Sequence, residues 1–148
     1  MHLSYFGIRV TNLAKSVDFY TRHFGLQPPR GSELPKSTPA EQASALLVDP
    51  RSSQRLELNY YPPGNPYAVP YVAGEGWDHL AFRVDDLPRF LDQLGKDGIR
   101  PEEMSHFEGP MMVTPTFRVA YIRDPDGNQI ELYDTPGAPT SGFDPNQY

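Results

Sequence analysis

The chain of 148 residues repeats its own pattern after a shift of 74 positions (82−8 and 131−57). The matched segments are Ile8–Val10 with Phe82–Val84, Asn12-Leu13 with Asp86-Leu87, and Leu56–Leu58 with Ile130–Leu132. Small slips in the loops also bring Asp49-Pro50 onto Asp124-Pro125. A chance match would not keep strand, cap, turn and strand in one order, so we interpret the chain as two copies of one supersecondary unit.

Alternation of apolar and polar residues predicts the strands and their faces. Phe6, Ile8 and Val10 alternate with Tyr5, Gly7 and Arg9, which is typical of a half-buried strand. In the second copy Leu80, Phe82 and Val84 alternate with His79, Ala81 and Arg83, and leucine or isoleucine flanks both Glu57 and Glu131. We therefore expect Tyr5, Glu57, His79 and Glu131 on the face opposite the helices. The small residues Gly7 and Ala81 leave room there for a ligand.

One helix per copy should cover the apolar face. After the N-cap Asn12, apolar residues recur at helical spacing until Gly25, and Asp86 and Gly98 bound a second such segment. The predicted class is α+β, with two tandem βαβββ modules that form a concave sheet cavity. The expected limits are 1–61 for the first module, 62–76 for a linker, 77–134 for the second module and 135–148 for a tail.

Composition limits the partners and the location. Thirteen basic and 19 acidic residues give a net charge of −6, and the absence of a basic stripe argues against nucleic acid and anionic membranes as partners. The chain has no cysteine, which excludes a disulfide framework and a thiolate metal site. No apolar stretch approaches the length of a transmembrane helix and no leader peptide is evident. We expect a cytoplasmic protein that binds a small molecule.

The four polar residues of the open face have the chemistry of a metal site. Tyr5 and Glu57 are 52 positions apart, and so are His79 and Glu131 (57−5 and 131−79). One imidazole and two carboxylates suit a divalent Zn, Ni, Co, Mn or Fe ion. A phenol is a weaker ligand, so Tyr5 either ligates the metal or donates a hydrogen bond to a bound oxygen. The alternative is a metal-free pocket in which the acids are hydrogen-bonded.

These motifs resemble the glyoxalase I branch of the vicinal oxygen chelate superfamily. The resemblance rests on Gly7–Val10, on Phe19-Tyr20 with Phe24–Leu26, on Leu56–Leu58, on His79, and on Asp124–Asn128 with Ile130–Leu132. It implies paired βαβββ modules with metal ligands on the first and last strands of each, here Tyr5, Glu57, His79 and Glu131. Tyr5 departs from the histidine or glutamine that glyoxalase-like members carry at this position.

The resemblance also implies a reaction and its residues. A metal-dependent lyase or isomerase would stabilise an enediolate of a substrate with two neighbouring oxygens, and Glu131, or else Glu57, would move the proton. Arg9 would hold a carboxylate of a glutathione conjugate. Two further glutathione contacts of the family are absent, because Glu75 stands where an arginine is expected and Tyr61 where an asparagine is expected. The candidate substrate-binding residues are Arg9, Tyr5 and Tyr61.

Two alternative functions are compatible with the sequence, and the oligomeric state can also be predicted. A ring-cleaving dioxygenase needs two histidines and one carboxylate around iron, whereas Tyr5 replaces the first histidine. A non-catalytic, resistance-type binding protein would use a similar cavity without a metal. The superfamily resemblance and the exposed sheet edges of such modules predict a homodimer. The cavity would then be built either from one chain or from modules exchanged between two chains.

Overall fold

The computed structural model describes residues 4–66, 68, 70, 72, 79–104 and 107–137. Parts of the predicted linker and tail, together with Glu75, lie outside these residues. The chain divides into two compact units, Met1–Val72 and Ala73–Tyr148, and the division falls inside the segment 62–76 that we expected to link two modules. None of the described helices is long and apolar enough to cross a membrane.

The first unit contains three strands and one helix. Strand β1 (Phe6–Val10) is followed by helix α1 (Leu13–Phe24), and strands β2 (Ala43–Val48) and β3 (Arg55–Tyr60) complete the unit. The sheet order is β1-β3-β2, with β1 parallel and β2 antiparallel to the central strand β3.

The second unit contains four strands and one helix. Strand β4 (Leu80–Arg83) precedes helix α2 (Leu87–Lys96), which is followed by β5 (Met112–Val113), β6 (Arg118–Arg123) and β7 (Gln129–Asp134). The sheet order is β4-β7-β6-β5, and β4 runs parallel to β7 while the other two pairs are antiparallel. The predicted α+β class with two tandem modules is therefore confirmed.

Strand registers reproduce the sequence repeat. Gly7 pairs with Glu57 between β1 and β3, and Ala81 pairs with Glu131 between β4 and β7, which is the same pair shifted by 74 positions (81−7 and 131−57). The helix starts repeat as well. The Asn12 side chain accepts a hydrogen bond from the Lys15 amide (3.0 Å), and Asp86 accepts one from the Arg89 amide (3.2 Å). Both predicted N-caps satisfy amides that the first helical turn leaves without partners.

Each module buries the apolar face of its helix. The fully buried large side chains include Leu13, Tyr20, Leu47 and Leu58 in the first unit and Leu87, Ile122, Ile130 and Leu132 in the second. Phe6 differs from the prediction, because it is 41% exposed rather than packed beneath the helix. Strand β1 lies at the edge of its sheet, and an edge strand is covered on fewer sides than the central strand β3.

The fourth strand of the first module is reduced to a single bridge. Gln27 forms two backbone hydrogen bonds with Val48 at the outer edge of β2 (2.9 and 2.7 Å). This position beside β2 corresponds to the position of β5 beside β6 in the second sheet. Pro28 and Pro29 follow at once, and proline has no N–H to continue the ladder. Among the described residues the first module is therefore βαββ with one added bridge.

A buried carboxylate joins three elements of the second module. Asp134, at the end of β7, accepts hydrogen bonds from the Leu87 amide at the start of α2 (2.7 Å) and from Arg118 Nε at the start of β6 (2.7 Å). Arg118 Nη2 also bonds to the second oxygen of Asp134. The hydrogen bonds that Arg118 donates to Asp134 raise the pKa of Arg118 more than the charge of Asp134 does. Three elements are thus held together by one residue that is 2% exposed.

Candidate active site

The open face of the first sheet holds Glu57 in a defined position. Asn59, two residues farther along β3, donates a hydrogen bond from Nδ2 to Glu57 Oε2 (3.0 Å). A Cβ atom added to Gly7 would lie 3.2 Å from Asn59 Nδ2 and 3.6 Å from Glu57 Oε2. The glycine predicted to leave room on this face therefore makes room for the Glu57 carboxylate and for the Asn59 amide that holds it.

Two other predicted residues of the first module lie apart from this hydrogen bond. The guanidinium carbon of Arg9 is 5.9 Å from the centre of the Tyr61 ring, within the range of a cation–π contact. Tyr5 precedes β1 and is 47% exposed. Its role as a ligand or hydrogen-bond donor stays a prediction.

The second module brings its two predicted ligands together. His79 Nε2 lies 3.4 Å from Glu131 Oε2, with the imidazole 31% and the carboxylate 18% exposed. Tyr121 on the neighbouring strand β6 donates a hydrogen bond from its hydroxyl to the same Oε2 atom (2.7 Å). The His79 and Tyr121 rings meet edge to face, with centroids 6.0 Å apart. Within the described part of the chain, Glu131 Oε1 has no hydrogen-bond partner.

The donor atoms of the second module fit a divalent metal. Two ligand atoms that each lie about 2.1 Å from a tetrahedral zinc ion are about 3.4 Å apart. The separation of His79 Nε2 from Glu131 Oε2 equals that value. The described ranges contain no group of three or more His, Cys, Asp or Glu side chains close enough to hold an ion. The separation of His79 and Glu131 is therefore compatible with two ligands of one ion, and the ligand roles of all four residues stay a prediction.

Sequence reasoning did not identify Tyr121 and Asn59, which hold the two glutamates. One signal for Tyr121 was present. The turn Asp124–Asn128 is closed by a hydrogen bond from the Asp124 amide to the Asn128 carbonyl (3.0 Å), and this closure sets the pairing of Arg123 with Gln129. Counting back two residues on one strand and forward two on the other places Tyr121 opposite Glu131. The partner of Glu57 on β2 is Leu46, which has no polar group to offer.

Comparison with known proteins agrees with this architecture. The chain is 30% identical to the lactoylglutathione lyase of Neisseria meningitidis serogroup A over 132 residues, which cover 89% of each protein. It is also similar to the solved structure of the trypanothione-dependent glyoxalase I of Leishmania major, with 26% identity, a TM-score of 0.62, and coverage of 90% of this chain and 87% of the other.

A third likeness concerns the fold alone. An antibiotic-binding protein from Streptomyces sp. CB03234 superposes with a TM-score of 0.60 at 22% identity, covering 91% of this chain and 96% of the other. The same fold thus occurs in proteins with different tasks. The profile of one family matches residues 2–132, which is most of the sequence. The chain therefore belongs to the Glyoxalase/Bleomycin resistance protein/Dioxygenase superfamily.

Proposed function

We propose that this protein is a metal-dependent lyase or isomerase of the glyoxalase type that acts on a small, oxygen-chelating substrate. The observation that carries the proposal is the arrangement of Glu131. One of its oxygens is held by Tyr121 and lies beside His79, while the other has no hydrogen-bond partner among the described residues. Similarity to lactoylglutathione lyases supports the same class of reaction.

The proposed metal ligands are His79 and Glu131 of the second module and Glu57 of the first, with Tyr5 as a fourth ligand or as a hydrogen-bond donor. A bound Zn, Ni, Co, Mn or Fe ion would supply Lewis acidity that stabilises negative charge on the substrate oxygens. Asn59 would keep the Glu57 carboxylate oriented, since it already bonds to one of its oxygens.

Glu131 is the proposed proton carrier, and Glu57 is the second candidate. In a hemithioacetal of a 2-oxoaldehyde, Glu131 would take the proton from the carbon that bears sulfur and return it to the neighbouring carbon. In the same conversion the hydroxyl proton on the sulfur-bearing carbon moves to the oxygen of the neighbouring carbon, so that the former carbon becomes the thioester carbonyl and the latter carries the hydroxyl. The product is an isomer of the substrate, so no oxidant or reductant is required.

Arg9 is the proposed anchor for a carboxylate of the substrate. Its guanidinium lies over the Tyr61 ring, which limits the orientations that this long side chain adopts. Lactoylglutathione lyase relatives suggest a glutathione conjugate, whereas Glu75 and Tyr61 depart from the family's other glutathione contacts. We therefore propose a thiol conjugate with at least one carboxylate, and not glutathione in particular.

The deciding experiment combines metal analysis with turnover. Protein purified without chelator should contain about one divalent ion per chain, and removal and return of the ion should abolish and restore conversion of hemithioacetals formed from methylglyoxal and several thiols. Glu131→Gln should lower kcat by at least about 100-fold because a positioned proton carrier contributes that much. Glu103→Gln, at an exposed glutamate of the same module, is the matched control.

Two results would contradict the proposal. Unchanged turnover in Glu131→Gln would remove the proton-carrier role. No metal binding at micromolar concentration would favour the second candidate, a non-catalytic binding protein, for which the Arg9–Tyr61 pair is a ready contact for an aromatic or acidic ligand. Oxygen consumption with a catechol, dependent on Fe(II), would instead point to a ring-cleaving dioxygenase.

The homodimer and the cytoplasmic location remain proposals. Strands β1 and β4 each stand at an end of their sheet's strand order, and edge strands tend to pair with another chain, which supports self-association. Light scattering after size-exclusion chromatography measures the mass directly, to be compared with 16.7 kDa for one chain.

A further inference from the structure

We infer that Tyr121 is a positioning residue that determines which oxygen of Glu131 is presented to the reaction, an inference that rests on the proposed function. Its hydroxyl donates to Glu131 Oε2 at 2.7 Å, which is a short hydrogen bond to a carboxylate. The same oxygen lies 3.4 Å from His79 Nε2. Oε2 thus faces His79 and Tyr121, and Oε1 is the Glu131 oxygen that can accept a substrate proton.

Tyr121 is held through both its backbone and its ring. Its backbone pairs with Glu131 in the β6–β7 register, which places the two side chains side by side on the open face. Its carbonyl accepts a hydrogen bond from the Glu102 amide (2.7 Å), so the segment before β5 runs along this part of β6. The Phe107 ring stacks on the Tyr121 ring, with centroids 6.1 Å apart and planes inclined by 29°.

A hydroxyl held in this way limits the rotation of the carboxylate. The Glu131 side chain is only 18% exposed, and two of its immediate neighbours, Tyr121 and His79, both face Oε2. Turning the carboxylate by half a rotation would exchange its oxygens only after the Tyr121 hydrogen bond breaks. Hydrogen bonds to a ligating carboxylate typically change metal affinity or activity by about 10–100-fold when they are removed.

The first module shows that this arrangement is specific to the second. Glu57 is held by Asn59 on its own strand, and the residue paired with Glu57 on β2 is Leu46. The repeat thus conserves the position of the glutamate but not the group that orients it. Of the two glutamates, the one that Tyr121 holds is Glu131, the residue that we propose moves the proton.

The test is Tyr121→Phe, compared with Tyr60→Phe as a matched control. Tyr60 lies on β3, and its hydroxyl has no hydrogen-bond partner in the described part of the chain. Metal affinity of the metal-free proteins is measured by titration with Co(II), followed by its visible absorption, and kcat and KM are measured on the reloaded proteins. Tyr121→Phe should weaken Co(II) binding and lower kcat by about 10–100-fold each, with KM changed less than about threefold.

The outcomes separate this inference from the proposed function. Wild-type protein that binds no Co(II) overturns the proposed metal enzyme, and the inference with it. Wild-type protein that binds and turns over, with Tyr121→Phe equal to wild type in both Co(II) affinity and kcat, overturns only the inference. A variant that loses thermal stability while its Co(II) affinity and kcat stay unchanged shows a purely structural role and also overturns it.

Discussion

Removal of the Asp134 carboxylate should destabilise the second module strongly. In Asp134→Ala the Leu87 amide, on a residue that is 0% exposed, loses its hydrogen-bond acceptor, which costs about 1–3 kcal/mol. Arg118 loses its charged partner. Breaking a buried pair costs about 3–5 kcal/mol, and the lower end applies because the Arg118 side chain is 22% exposed and water can solvate it. The two costs overlap, so we expect about 3–4 kcal/mol in total.

The assay is thermal unfolding followed by circular dichroism, with urea unfolding as a second measure. At roughly 3 °C per kcal/mol for a chain of this size, Asp134→Ala should lower Tm by about 10 °C. Asp134→Asn keeps one oxygen acceptor and should lose about half as much. Asp92→Ala, at an exposed position of α2, is the control and should change stability by less than about 0.5 kcal/mol.

A loss below about 1 kcal/mol in Asp134→Ala, with the Asp92 control unchanged, would refute the reasoning. It would mean that the Leu87 amide and Arg118 find other partners at little cost. A loss equal in Asp134→Asn and Asp134→Ala would instead assign the whole effect to the negative charge.

Two further predictions concern single backbone positions. Ser53 has a φ of 61°, a left-handed backbone conformation that strains a residue with a side chain, in the turn where the second module has Gly127 at 87°. Ser53→Gly should therefore raise the free energy of unfolding by about 0.5–1 kcal/mol, and Gly127→Ser should lower it, both measured by urea unfolding. No gain in Ser53→Gly would contradict the backbone strain at Ser53. Gly7→Val should displace the Asn59 side chain, which lies 3.2 Å from an added Cβ, and weaken Co(II) binding by about tenfold. Gly7→Ala should weaken it much less. Equal Co(II) affinities of Gly7→Val and the wild-type protein would argue against the role of the Asn59 contact.

Much of the fold is predictable because local rules and the repeat agree. Asn12 and Asp86 are short polar side chains ahead of an apolar periodicity, and both cap a helix as expected. Alternation places Glu57 and Glu131 on the same face of equivalent strands, and the shift of 74 (81−7) predicts that the pairing of Gly7 with Glu57 recurs as Ala81 with Glu131. Side chains of a strand alternate between two faces, so once the apolar residues identify the buried face, the remaining residues must lie on the other one.

The candidate site is predictable in its residues but not in their partners. His79 and Glu131 belong to distant parts of the sequence, and the parallel pairing of β4 with β7 brings them to 3.4 Å. Asn59 and Tyr121 were not identified because the repeat has different residues at the corresponding positions. Which polar side chain reaches a carboxylate depends on rotamers and on cross-strand neighbours, and neither is a property of one segment.

The sequence by itself therefore determined the repeat, the two helices with their caps, and the face on which each glutamate lies, because these depend on residues within one or two turns or strands. Tertiary structure alone decided three features: the single Gln27 bridge in place of a fourth strand, the Asp134 contacts that join α2, β6 and β7, and the side-chain geometry that brings the Tyr121 hydroxyl onto Glu131. Each joins residues that are 10 to 47 positions apart. Such contacts form only when separate elements pack, and their free energy depends on burial that no local segment possesses.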